Sequence, residues 1–285
     1  MAVTSFIPEI WHADLLLAFR EWTVLGQPGV INRNYEGDVA QSGDTVHINS
    51  LGRPTVSDYE PNVTVIDPET LATTDQTLLI DQNKYFAFEV DDVDARQAAG
   101  NLLNDAASEA AQATSLVADT YLTTVMVAGA GTTLTAGAVG TAAEAFAVLR
   151  ELKLALDKNS VPLMNRWVAV SPEFYSLLLD SDRFLDASAY GSSRPIQNGE
   201  VGSALGFAVL VSNTLPAGTA ATPPAASNYV IAGHGAATTW ADQLTKIEAY
   251  RPDDSFSDAI KGLHVYGADV VRPEALAAID ADVTV

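Results

Sequence analysis

Apolar positions along this chain recur with different periods in successive stretches, and each change of period marks a change of element. Ile10-Trp11 and Leu15-Leu16-Leu17-Ala18-Phe19 follow helical spacing, and Trp22-Thr23-Val24-Leu25 then runs into Gly26 and Pro28. So many large apolar residues ahead of any compact region predict an arm that buries them elsewhere, against another molecule. From Gly43 to about Val90 the period falls to two, at Thr45-Val46-His47-Ile48-Asn49 and at Phe86-Ala87-Phe88-Glu89-Val90. Gly52-Arg53-Pro54, Asp58-Tyr59-Glu60-Pro61 and Asp67-Pro68 punctuate the stretch between with turn or extended chemistry. The pattern predicts a long β-hairpin whose legs, at about 3.3 Å per residue, reach tens of ångströms. Polar legs of this kind have little core of their own, so a neighbour is needed to cover them.

A long helix is predicted from about Asp92 to Val127. Ala99, Leu103, Ala106, Ala110, Ala113, Val117, Tyr121 and Val125 repeat at spacings of three and four and predict its apolar face. Asp91, Asp92 and Asp94 suit its start, where carboxylates satisfy free N–H groups and the helix dipole. At about 1.5 Å per residue the helix is about 50 Å long. Gly129-Ala130-Gly131 ends it. A second helix is predicted over 141–156, with Ala145, Leu149, Leu152 and Leu156 on one face. Arg166–Val170 reads as a strand, and Ser171-Pro172-Glu173 caps a short helix through Leu179. Further strands are expected at Phe207–Val211, Tyr229–Ala232, Leu244–Tyr250 and Gly262–Val271, with a loop from Leu215 to Ser227. The class is α+β.

Charge narrows the functional range. Fifteen Lys and Arg against thirty-six Asp and Glu leave a net charge of −21. Such a chain repels phosphate backbones and anionic bilayers, so neither sequence-specific DNA binding nor a membrane partner is expected. There is no cysteine, which removes disulfides, thiolate zinc sites and thiol nucleophiles. The first residues lack the basic-then-apolar order of a secretory signal, and no apolar run approaches the roughly 20 residues that span a bilayer. A soluble protein folding in a reducing cytoplasm is expected.

Candidate chemistry is sparse. His12, His47, His234 and His264 stand apart in sequence without partners at ligand spacing. Asp91-Asp92-Val93-Asp94 lacks the central Gly and terminal Glu of a calcium loop, and helix capping accounts for it. Gly129-Ala130-Gly131 has no third Gly in register and no following Lys. Ser203 is not centred between glycines as a nucleophile elbow requires, and Gly233-His234-Gly235 reads as a turn. No catalytic residue, cofactor or metal is expected. An enzyme or small-molecule binding module would have to use the Gly/Ser/Thr-rich loops around 190–206 and 212–240.

The order of arm, long hairpin, long helix and α+β body resembles the major capsid proteins of tailed bacteriophages. Local sequence carries the same resemblance: Phe6-Ile7-Pro8-Glu9-Ile10-Trp11, Val30-Ile31-Asn32-Arg33-Asn34-Tyr35-Glu36-Gly37, Asp81–Phe88, Val90–Asp94, Arg166–Pro172 and Lys261–Gly267. It implies the Hong Kong 97-type capsid fold: an N-terminal arm over 1–44, an extended loop over 45–90, a peripheral domain with the spine helix over 91–131, an axial domain over 132–245, and closing peripheral strands over 246–285. It also implies self-assembly into hexamers and pentamers of an icosahedral shell that encloses DNA, with a portal protein and room for a decoration protein. Some relatives carry a helical scaffolding segment ahead of the arm; none is present here, so a separate scaffolding protein or a removed segment is expected. Others join subunits by a lysine–asparagine isopeptide bond from the extended loop, but between Val46 and Asn83 this chain has Arg53 and no Lys. Non-covalent contacts must then hold the shell, and the candidates are Trp11, Phe19 and Trp22 on the arm, Arg33, and Arg53 and Tyr59 on the hairpin. An encapsulin-like compartment holding a cargo enzyme shares this architecture and is the alternative.

An anionic lining lets packed DNA slide and leave. The excess acid is therefore expected to face the lumen, and a basic inner surface in a map of the assembled particle would contradict that.

Overall fold

The computed structural model describes residues 23–34, 45–51, 55–56, 58, 60–61, 69–70, 73–91, 102–180, 200–218, 226–252 and 257–283. Three sheets and three helices occupy them. β1 (Thr45–Leu51) and β2 (Thr73–Leu79) form a two-stranded ribbon. β3 (Gln82–Asp91), β9 (Thr238–Tyr250) and β10 (Ser257–Val270) form an antiparallel sheet in the order β3-β10-β9. β4 (Thr132–Val139), β5 (Arg166–Val170), β6 (Glu200–Ala204), β7 (Phe207–Val211), β8 (Ala226–His234) and β11 (Leu276–Val283) form a mixed sheet in the order β4-β11-β8-β5-β7-β6.

The six-stranded sheet is the body of the molecule. β5 is buried at every position and β11 at all but one, as expected of strands covered on both faces. α2 (Ala142–Lys158) packs on β4, β8 and β11, and α3 (Pro172–Leu179) packs on α2. Each begins where its sequence provides a cap. Thr141 and Glu144 form a reciprocal capping box ahead of α2, and Ser171 accepts the Phe174 N–H at 3.2 Å ahead of α3. The apolar face read from sequence on α2 is the buried one: Ala145, Leu149, Leu152 and Leu156, joined by Val148. Leu205 and Gly206, both at positive φ, make the two-residue turn between β6 and β7.

Three expectations are corrected. β4 and β11 were not foreseen as body strands. Thr132–Val139 is small and Gly-interrupted and reads as the tail of a helix stop, whereas Leu276–Val283 is buried on both faces and so shows no alternation. β11 therefore returns into the six-stranded sheet, between β4 and β8, rather than closing the peripheral one. The second correction concerns the long helix, α1 (Leu102–Ala128), which at about 1.5 Å per residue is about 40 Å long over its described part. Its buried stripe is Ala111, Ser115, Ala118, Asp119, Leu122, Thr123 and Met126, while Val117 is exposed and Tyr121 and Val125 are half-buried. The face read from apolar periodicity is rotated from the real one, because three of the core-facing positions are polar. Asp91 closes β3 instead of opening the helix, and the rest of the acidic run lies outside the described residues.

The third correction sets the limits of the hairpin. β1 pairs with β2 from Thr45↔Leu79 to Leu51↔Thr73, so the ribbon ends near residue 79. β3 leaves it and pairs along its length with β10. There the Phe86 ring lies over Gly262, its direct cross-strand partner, where any Cβ would collide with it.

The core makes two quantitative predictions. Leu149→Ala, at a fully buried position, is expected to cost about 2–5 kcal/mol. Thr141→Ala, which removes the capping box, is expected to cost about 1 kcal/mol. Urea unfolding of the two variants against wild type measures both.

Candidate functional site

The ribbon and residues 23–34 lie outside the two larger sheets, and specific contacts tie each of them to the body. At the ribbon's root, Ile48, Leu78 and Ile80 are buried with Ala241 of β9 and Val265 of β10 in a small cluster separate from the main core. Gly267 of β10 permits this approach, since a Cβ there would run into the Leu79 carbonyl and the Ile80 backbone. The opposite face of the ribbon carries His47, Asp75, Thr77 and Leu79, all exposed. His47 Nδ1 and Asp75 Oδ2 lie 3.0 Å apart on it. A strand pair alternates its side chains between faces, so one face is seated and the other is open.

The arm enters the body through residues 23–34. Leu25, Val30 and Ile31 belong to the main core, and Thr23 is buried beside them. The first turn rests on Asp119 of α1, whose carboxylate accepts the Val24 N–H at 2.8 Å and faces the amides of Leu25 and Gly26. Only 3% of Asp119 is exposed. Burial pushes its carboxyl up to about 6 against the pull of those three amides. Further along, Asn32 exchanges backbone hydrogen bonds with Thr238 and Trp240, extending the edge of β9. Arg33 donates to the Gly26 carbonyl at 3.1 Å and forms an ion pair with Asp242 of β9.

That ion pair opens a buried polar and aromatic chain running to the ribbon's root. His264 Nε2 lies 3.6 Å from Asp242. The His264 ring packs on Tyr266, which stacks on Trp240 at 5.0 Å and meets Tyr121 of α1 edge-on at 5.4 Å. Tyr121 donates to Asp81 at 3.3 Å, in the short link between β2 and β3. Burial, and then the negative charge of Asp81, pushes both tyrosines up to about 12. Arm, spine helix, β9–β10 and the ribbon's hinge are thus in continuous contact.

Of the residues singled out from sequence, Trp11, Phe19, Trp22, Arg53 and Tyr59 lie outside the described residues. Arg33 is described, and its guanidinium is engaged within its own chain. His47 sits on the open ribbon face and His264 in the buried chain. His234 accepts from the Ala236 N–H at the β8–β9 turn, and His12 lies outside the described residues. Among the described residues no group of three or more His, Asp or Glu side chains could hold a metal, and no helix is long and apolar enough to cross a membrane. Sequence reading missed Asp119 and Asp242. For Asp119 a signal existed: Ser115, Asp119 and Thr123 stand four apart, a polar line beside the apolar Ala111, Ala118, Leu122 and Met126.

Comparison with known proteins places this architecture. A family model described as "Phage capsid protein" matches residues 73–279. A solved structure from Mycobacterium phage Che8 is 32% identical, covers 87% of this chain and 88% of its own, and superposes with a TM-score of 0.68. The capsid of Ralstonia phage GP4 is 13% identical, with 94% and 91% covered and a TM-score of 0.67. A virus-like particle from Pyrococcus furiosus is also 13% identical, with 95% and 98% covered and a TM-score of 0.58. The last two likenesses are of fold. No curated protein matches the chain.

Two substitutions test the ties. Arg33→Ala removes the guanidinium facing the buried Asp242 and is expected to cost about 3–5 kcal/mol in urea unfolding. Gly267→Val is expected to lift the ribbon's root from β10, seen as faster proteolysis between residues 52 and 72 while the body's melting transition persists.

Proposed function

Because this chain belongs to the phage capsid protein family, and is the major capsid protein of a tailed phage with the Hong Kong 97-type fold, we propose that its ribbon and arm are the fasteners that join subunits into hexamers and pentamers of the icosahedral shell. The family is structural rather than enzymatic, and the protein's place is the virion capsid. One observation carries the proposal: the ribbon buries one face at its root and leaves the other open. An isolated two-stranded hairpin is marginal in water, so a neighbouring subunit is the natural cover. The same reading gives the arm's Trp11, Phe19 and Trp22, and the ribbon's Arg53 and Tyr59, to surfaces of adjacent copies. Arg33 contributes by holding the arm's seat.

The domain plan follows as an arm that is anchored from Thr23 onward, an extended loop ending near residue 80, a peripheral unit of α1 with β3, β9 and β10, and an axial unit built on the six-stranded sheet. A net charge of −21 suits a wall that encloses DNA without gripping it. Further partners in this reading are a separate scaffolding protein, a portal protein and a decoration protein. A compartment holding a cargo enzyme is the alternative reading of the same architecture, but the family match and the 32% identical phage structure favour the phage shell.

The ribbon supplies the test. Leu51 and Thr73 are register partners, so residues 52–72 can be replaced by a two-residue Asn-Gly turn without disturbing the root. The shortened chain is expected to fold with the wild-type melting transition and to yield no closed particles by negative-stain microscopy. Closed particles at wild-type yield would refute the fastening role. Deleting residues 1–22, which stops short of the buried Thr23–Leu25 turn, is expected to give the same outcome for the arm.

A further inference from the structure

Asp119 is an unusual choice for the place it occupies. It sits on the buried stripe of α1 between Ser115 and Thr123, and both hydroxyls are satisfied by backbone carbonyls: Ser115 donates to Gln112, and Thr123 donates to Thr120 and Thr214. Asp119 instead accepts the Val24 amide on Oδ2 and faces those of Leu25 and Gly26, while its Oδ1 is buried with no hydrogen-bond partner among the described residues. The carboxylate borders a cleft of about 530 Å³ lined by Val24 of the arm, Glu109, Gln112 and Leu116 of α1, and Val211–Thr214 after β7.

Among the described residues that line the cleft there is no cation. On α1 the other titratable group in that cleft is Glu109, about 15 Å nearer the helix start. The segment after β7 offers Ser212, Asn213 and Thr214, none of which titrates. Within residues 23–34 the charged group is the Arg33 guanidinium, which is directed at the Gly26 carbonyl and at Asp242. With one oxygen unpartnered and no counter-charge among the described residues of the cleft, this carboxylate is held by its amide contacts, and desolvation opposes its charged form.

We propose that Asp119 is the residue that positions the arm, and that its ionisation loosens the seat of residues 24–27 on the spine helix, so that a single proton sets how firmly the arm is held. Protonation relieves the desolvated charge while the turn is seated, and solvent does so once the turn lifts. The raised pKa, about 6 against an ordinary 3.8, fixes the sign. Seating is firmest below 3.8 and weakens as pH rises through about 6. At neutral pH the turn at residues 24–27 is therefore held less firmly than in acid, while Val30, Ile31 and Arg33 keep the segment on the body.

Hydrogen exchange of the Val24, Leu25 and Gly26 amides in the full-length chain, corrected for the intrinsic rate, tests this without depending on shell formation. Wild type is expected to show at least about tenfold more protection at pH 5 than at pH 8, the change that one pKa unit or more delivers. Asp119→Asn keeps an acceptor oxygen without the charge. It is expected to match or exceed wild-type protection at pH 8 and to be flat between the two pH values. Asp119→Ala, with no acceptor, is expected to exchange fast at both, and the buried Leu149 amide serves as the control for global folding. Wild-type protection that is flat with pH or lower in acid overturns the proposal. So does an Asp119→Asn chain that exchanges faster than wild type at pH 8. Should Asp119→Ala fail to fold, the wild-type and Asn profiles decide by themselves.

Discussion

A ribbon of two strands has only two faces to cover, and β1–β2 covers one of them, near its root alone. Ile48, Leu78 and Ile80 find Ala241 and Val265; beyond that cluster the ribbon has neither a third strand nor a helix to lean on among the described residues. Backbone pairing over seven residues keeps the two legs in register but contributes little net stability against the cost of ordering them. A feature built this way is stable only in company. Its geometry is set from below, through Gly267 and the line of side chains that runs from Asp242 to Asp81.

The arm repeats this arrangement at the other end of the same chain of contacts. Leu25, Val30 and Ile31 sink into the core, and Asn32 and Arg33 stitch the segment to β9. Residues 23–34 are thus fixed as firmly as any strand. Arm and ribbon share β9, β10 and α1 as their foundation. A shift at Asp242 or Tyr266 would therefore be felt at both.

How much of this was legible beforehand depended on where each signal lies. Arg166–Val170, Pro172–Leu179 and Phe207–Val211 were read to the residue, because an apolar run flanked by a Ser-Pro cap or a Gly turn is local information. The class, the ribbon and the long helix were legible for the same reason. β4 and β11 were not, since small or Ala-rich strands buried on both faces show no alternation and their pairing is made over more than a hundred residues of sequence. The inner face of α1 was misplaced because Ser115, Asp119 and Thr123 look like solvent positions until the carbonyls and amides they serve are brought alongside. Of the contact residues proposed from sequence, Arg33 alone falls among the described residues, and its partner Asp242 lies on a strand that no local pattern connects to the arm.

The central claim is that a neighbouring copy completes the open face of the ribbon. Cryo-electron microscopy of particles formed by the full-length chain tests it most directly. The account predicts that His47, Asp75 and Leu79 lie against an adjacent subunit and are lost from solvent in the closed shell. A closed shell in which that face still points to solvent, with subunits joined through other surfaces, would contradict it.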